Sequence, residues 1–187
     1  MRLRVLHPDR PEHLSGADLI YEKHDTKNKK ASLVAVQYKI WEDKRLSLSD
    51  TRMLKQLERL QSFTCKRNLC NDNDDFKHFR FPFCAAFLRP TDRLQNSDQK
   101  LISSGEHLPV CQINRCSRNS SRGVKSLHYE SIRHISLSQD SFEYLFSNGK
   151  IGSRILSYKE LVELYEQFEI NRDSDRAFMH IQDFDQP

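Results

Sequence analysis

Three side chains stand out in this sequence for the chemistry they would do together: Asp18, Gln37 and Lys39. Asp18 lies in Gly16-Ala17-Asp18-Leu19-Ile20, at the mouth of an apolar run. The other two lie in Leu33-Val34-Ala35-Val36-Gln37-Tyr38-Lys39. If both runs are strands, alternation puts Gln37 and Lys39 on one face, two residues apart. A carboxylate and an amide oxygen suit a hard cation such as magnesium. A lysine beside them steadies the charge that gathers on a phosphate as water attacks it. The pattern points to metal-dependent cleavage of a phosphodiester. Each residue also has a plainer explanation. Asp18 can be a turn residue after Ser15-Gly16, Gln37 a strand residue bonded to backbone, and Lys39 a solvated strand end. Val34-Ala35-Val36 and Ile40-Trp41 bracket the polar pair, however, and a lysine inside an apolar strand needs a partner. Asp18 is the expected one. Glu22 shares the face of Asp18 and Ile20 and is expected to be exposed near the turn.

The elements that must position these residues can be placed from pattern. Residues 15–22 and 32–41 read as a hairpin, joined by a lysine-rich turn from Lys23 to Lys30. A short alternation, Leu3 and Val5, precedes it as a strand, followed by the link Pro8 to Pro11. A helix is expected from about Asp50 to Phe63, capped by Ser47 or Ser49, with Met53, Leu54, Leu57, Leu60 and Gln61 as its stripe. Phe79 to Leu88 reads as the next core strand, beside the one bearing Gln37. Arg89 to Arg93 leaves it as a loop that would grip a phosphate backbone. Residues 94–107 are loop-like, and His107 to Asn114 reads as a short strand. Residues 117–123 are the linker candidate. Ser138 to Phe146 is an expected helix closed by Asn148-Gly149, and Ser157-Tyr158-Lys159-Glu160 is a capping box opening another to about Phe168. Residues 176–182 are read as an edge strand or a packed tail. The expected division is a core over residues 1–116, a linker or loop over 117–123, and a mainly helical C-terminal segment over 124–187 that packs on the core.

Gly-x-Asp, a spacer, then an apolar strand ending in Gln-x-Lys resembles the PD-(D/E)XK, or restriction-endonuclease-like, nuclease superfamily. It is most similar to the Mrr-like branch, where glutamine replaces the acidic residue. The resemblance covers residues 15 to 41. It implies an α/β fold with a mixed central sheet flanked by helices, DNA as substrate, and magnesium or manganese held by Asp18 and Gln37. Lys39 would orient or deprotonate the attacking water. Those nucleases usually have a helix before the first strand, with a further glutamate near the metal. Here only Glu12 stands in such a place. The expected activity is that of a metal-dependent DNA endonuclease, with anti-phage defence the role suggested by analogy. Cutting both strands needs two sites, which implies a homo-oligomer or a regulatory partner protein. The competing reading is a non-catalytic nucleic-acid-binding or assembly module on the same fold.

Bulk properties fit that setting. The hydrophobic share is 37% and the charged share 30% over 187 residues, which implies a modest core and long polar loops. Net charge is only +4, but it is unevenly spread. Residues 1–70 carry 15 Lys/Arg against 9 Asp/Glu, whereas residues 138–187 carry 5 against 10. The basic part coincides with the candidate site, as a phosphate binder requires. No apolar run approaches the length of a membrane span and no leader is evident, so a cytoplasmic protein is expected. With no P-loop, no Gly-x-Gly-x-x-Gly and only 5 glycines, a Gly-rich phosphate cradle is not expected. The 5 cysteines include two pairs of equal spacing, Cys65-x4-Cys70 and Cys111-x4-Cys116, with Cys84 in an apolar strand. The two pairs are candidate ligands of a structural zinc. The alternative is free thiols packed as small hydrophobes, which is also the expectation for Cys84.

Overall fold

A computed structural model of the chain describes residues 2–6, 11–70, 84–91, 106–120, 123–170 and 178–180. The hairpin forms, and it runs deeper into the turn than its apolar residues alone suggest. Strand β2 is Leu19–Asp25 and β3 is Lys30–Ile40, paired antiparallel with Leu19 opposite Val36 and Asp25 opposite Lys30. Strand β1, Arg2–Val5, lies antiparallel on the outer side of β2. Helix α1, Pro11–Ser15, stands between β1 and β2. Glu12 is therefore helical, and its side chain lies outside the described residues.

The chain then leaves the sheet. Strand β4, Arg45–Ser47, leads into helix α2, Thr51–Phe63. Its cap is Asp50, whose carboxylate accepts from Arg52 N–H at 2.9 Å, and not Ser47 or Ser49. Met53, Leu57, Leu60 and Phe63 are its buried stripe. Leu54, expected in that stripe, is 49% exposed. Strand β5, Ala86–Thr91, returns parallel to β3 and directly beside it, with Leu88 opposite Gln37 and Pro90 opposite Lys39. Residues 79–83 of the expected strand, and 92–105 after it, lie outside the described residues. Strand β6 is only Leu108–Pro109. The rest of the stretch expected as strand turns helical, through a 3-10 turn at Val110–Gln112 into helix α3, Ile113–Cys116.

Residues 117–120, expected in a linker, instead supply strand β7, Arg118–Asn119. It pairs with β8, Lys125–His128, which pairs in turn with β4, so a small second sheet ties residues from both sides of that stretch together. After helix α4, Tyr129–Ile132, comes α5, Gln139–Ser147, capped by Ser138. Strand β9, Leu156–Ser157, pairs with the start of β3. Helix α6, Tyr158–Gln167, opens with the Ser157/Glu160 capping box. Strand β10, Phe178–His180, completes the edge beside β1. Among the described residues, the segment after residue 123 thus mixes three helices with three strands.

The protein is mixed α/β: the main sheet runs β10-β1-β2-β3-β5-β6, parallel only between β3 and β5, with helices on both sides. One face packs on α5, where Tyr21 and Phe87 meet the Phe142 ring edge-on at 5.4 and 5.3 Å. The other face packs on α2 and α6, which meet each other at Phe63 and Phe168. Among the described residues no helix is long and apolar enough to cross a membrane.

Candidate active site

Gly16 sets the approach to the site. It has φ +70°, and a Cβ there would fall 2.2 Å from Gln56 O and 2.6 Å from Leu60 N. Only glycine lets the chain press against the α2 backbone while turning into β2. Two residues later, Asp18 is locked between both neighbouring strands. Leu6 N–H donates to its carbonyl at 2.8 Å, and its own N–H donates to Val36 O at 2.9 Å. Continuing the register, Asp18 stands opposite Gln37.

The two side chains meet. Asp18 Oδ2 accepts from Gln37 Nε2 at 2.6 Å and from Tyr38 N–H at 2.6 Å. The second bond has a structural cause. The β2–β3 ladder ends at Leu19, so the carboxylate takes an N–H that no further β2 residue reaches. Gln37 Nε2 also donates to Tyr38 O at 3.2 Å. The other side of the amide is left over: Gln37 is 1% exposed, and its Oε1 accepts no hydrogen bond. Asp18 Oδ1 accepts none from the described residues either. Lys39 is half-buried on the same face, and its ammonium has no hydrogen bond or ion pair among the described residues. The expected Asp18–Lys39 pair does not form; Asp18 Oδ2 bonds Gln37 and Tyr38 instead.

The far end of the same face behaves in the opposite way. Glu22 is fully buried, not exposed near the turn as expected. Its Oε1 accepts from Arg4 Nε and from Tyr165 OH, and its Oε2 meets His24 Nε2 at 2.6 Å. Burial pushes the Glu22 carboxyl up, but the bonds from His24, Arg4 and Tyr165 outweigh it and hold it below the usual carboxylate value. Helix α6 supplies the tyrosine and closes this end. Arg89, expected in a loop gripping phosphate, is buried on the opposite face instead. Its guanidinium donates to Tyr38 OH at 2.7 Å.

The residues at the Asp18 end fit a hard divalent cation. Magnesium takes oxygen ligands from one or two carboxylates and keeps several waters. Asp18 Oδ1 and Gln37 Oε1 are oxygens without donors. No group of three or more His, Cys, Asp or Glu side chains gathers as metal ligands among the described residues, so protein would supply only part of the shell.

The cysteines assemble differently from their sequence pairing. Cys65 and Cys70 do meet, Sγ to Sγ at 3.6 Å. Cys84, expected as an isolated core residue, is buried, and its Sγ donates to Ala86 O at 2.7 Å while it interacts electrostatically with Cys70 and Cys111. None of these contacts involves Cys116, which lines a separate surface pocket of about 450 Å³ with Arg115, Ser131 and Ile135. His107 is a further group that sequence reasoning placed only as the start of a strand. It is fully buried, stacked on Phe142 at 4.0 Å, and neither ring nitrogen has a partner. Nothing in its sequence neighbourhood signals this. Comparison with protein-family models, with curated proteins and with solved structures returns no match.

Proposed function

We propose that the chain is a magnesium-dependent DNA endonuclease of the PD-(D/E)XK type, with Asp18, Gln37 and Lys39 as its catalytic residues. One observation carries this reading: two donorless oxygens and an unpaired ammonium share one end of a sheet face whose other carboxylate is fully satisfied. Of these, Gln37 Oε1 is buried, and buried polar groups that the fold itself uses are normally hydrogen-bonded, while Asp18 and Lys39 are partly exposed. The strand order supports it as well, since the antiparallel β1-β2-β3 unit followed by a helix and a parallel β5 is the kind of mixed sheet that the resemblance implies.

Asp18 and Gln37 would hold the ion through Oδ1 and Oε1. A magnesium ion there supplies positive charge against the scissile phosphate and lowers the pKa of water. Lys39, two residues along the strand, stabilises negative charge on the phosphate oxygens as water attacks, and orients that water. The basic bias of residues 1–70 draws the DNA backbone toward this end. Double-strand cleavage would require two copies or a partner protein.

The second reading, a non-catalytic nucleic-acid-binding or assembly module, is favoured by one observation: Asp18 Oδ2 already serves Gln37 and Tyr38. Incubation with supercoiled plasmid separates the two, using Mg²⁺ or EDTA and wild type or Lys39→Ala. The expected result is Mg²⁺-dependent nicking that falls at least about 100-fold in the variant, the scale for removing one transition-state charge contact, with unchanged unfolding temperature. Equal nicking by both proteins refutes the assignment of Lys39. DNA binding without any nicking favours the module.

A further inference from the structure

We propose that Cys65, Cys70, Cys84 and Cys111 form a tetrathiolate site for one zinc ion, pinning the C-terminal end of α2 to the start of β5 and to the turn after β6. The set differs from the pairing that sequence spacing offers, since Cys84 replaces Cys116.

Three pieces of geometry carry it. The Cys65 and Cys70 sulfurs are 3.6 Å apart. Two sulfurs on one tetrahedral zinc lie about 3.8 Å apart, given a Zn–S bond of about 2.3 Å. The second observation is that Ala85 N–H donates to Cys70 Sγ at 3.3 Å, which fixes that sulfur beside the residue next to Cys84. Backbone N–H donors to cysteine sulfur are the outer-shell support that thiolate metal sites use. The third is register. Phe87 stands opposite Pro109 in the antiparallel β5–β6 pair. The ladder ends there, and Cys111 follows two residues on, in the 3-10 turn Val110–Gln112, which packs against β5. The four thiols thus form a row: Cys65 and Cys70 meet sulfur to sulfur, and Cys84 interacts electrostatically with both Cys70 and Cys111.

The row is open and not yet closed round one point. Cys111, exposed in its 3-10 turn, is the ligand free to swing inward.

The test is zinc content by mass spectrometry on full-length protein purified with reductant and dialysed against a weak chelator. DNA cleavage is not part of the readout, so a failed nuclease assignment leaves the result intact. Wild type and Cys116→Ser should each retain about one zinc per chain, and Cys65→Ser and Cys84→Ser should lose it. Because Cys84 is buried and its variant can fail to fold, wild type is also loaded with Co²⁺. The expected spectrum has the thiolate charge-transfer and intense ligand-field bands of a four-sulfur tetrahedral site. The proposal is overturned by zinc-free wild type after Zn²⁺ reconstitution, by zinc loss in Cys116→Ser with retention in Cys84→Ser, by an iron–sulfur chromophore, or by a Cys65–Cys70 disulfide in metal-free protein.

Discussion

His107 makes stability depend on pH in a window where few other groups act. Its ring lies flat on Phe142, edge-on to Phe87, with both nitrogens unpartnered. Burial first, and then the charge of Arg89, lowers its pKa from 6.5 to about 3. The folded state therefore holds a neutral imidazole where the unfolded chain takes up a proton. The sign follows. The folded pKa is depressed, so the contribution is fully present above about pH 6.5 and is lost progressively as pH falls toward 3. Between about pH 7.5 and pH 5 the linkage amounts to about 2 kcal/mol. Replacing the ring with phenylalanine keeps the stacking and removes both unsatisfied nitrogens. His107→Phe should match or exceed wild type near neutrality, because an orphaned buried polar atom costs about 1–3 kcal/mol. It should also lose about 2 kcal/mol less than wild type on going to pH 5. Urea unfolding at a series of pH values measures both, with the m-value checked for constancy. Parallel pH profiles for the two proteins would show that the imidazole is solvated or paired in solution, and the account of this pocket would fall.

Two further substitutions probe the site itself. Gly16→Ala forces a Cβ onto the α2 backbone at a positive φ, so it should cost at least about 1–3 kcal/mol in urea unfolding; a neutral result would mean that α2 stands off from β2. Gln37→Met removes the donorless Oε1 while Asp18 keeps the Tyr38 N–H, so stability should stay within about 1 kcal/mol of wild type. Mg²⁺-dependent plasmid nicking by the same variant should be lost, and nicking at the wild-type rate would remove Gln37 from the metal site.

Much of the sheet was legible because its signals are local. Apolar runs marked β2 and β3, and the run ending at Leu88 marked a neighbour beside β3, though not its parallel direction. The Asn148-Gly149 stop marked the end of α5, and the Ser157/Glu160 capping box marked the start of α6. What stayed illegible depends on contacts between distant residues. Glu22 looked like a turn residue because Arg4 and Tyr165, its partners, lie 18 and 143 positions away. Cys84 looked isolated because spacing pairs Cys111 with Cys116, whereas the 3-10 turn that carries Cys111 packs against β5, which begins just after Cys84. Residues 117–120 looked like a linker because small polar residues carry no apolar period. Their strand is specified by its partner β8 and not by their own propensity.

The candidate site itself was legible in residue type but not in state. Spacing puts Gln37 and Lys39 on the face of Asp18, yet it does not say which of their polar atoms the fold consumes. The two carboxylates of that face supply an internal comparison. Glu22 lies in β2, and Asp18 stands four residues before it, just ahead of that strand. At Glu22 a charged arginine, a histidine and a tyrosine converge from three elements, and both oxygens are used. At Asp18 the fold uses one oxygen and stops, with an amide oxygen and an ammonium left over beside it. Of these groups Gln37 Oε1 is the buried one, and an unmatched buried acceptor weakens the fold that contains it, whereas Asp18 and Lys39 are partly exposed. The places where local rules of satisfaction fail inside an otherwise consistent fold are where function is expected. Here the failure is one buried amide oxygen, set beside a carboxylate oxygen and an ammonium that a metal-bound phosphate would complete.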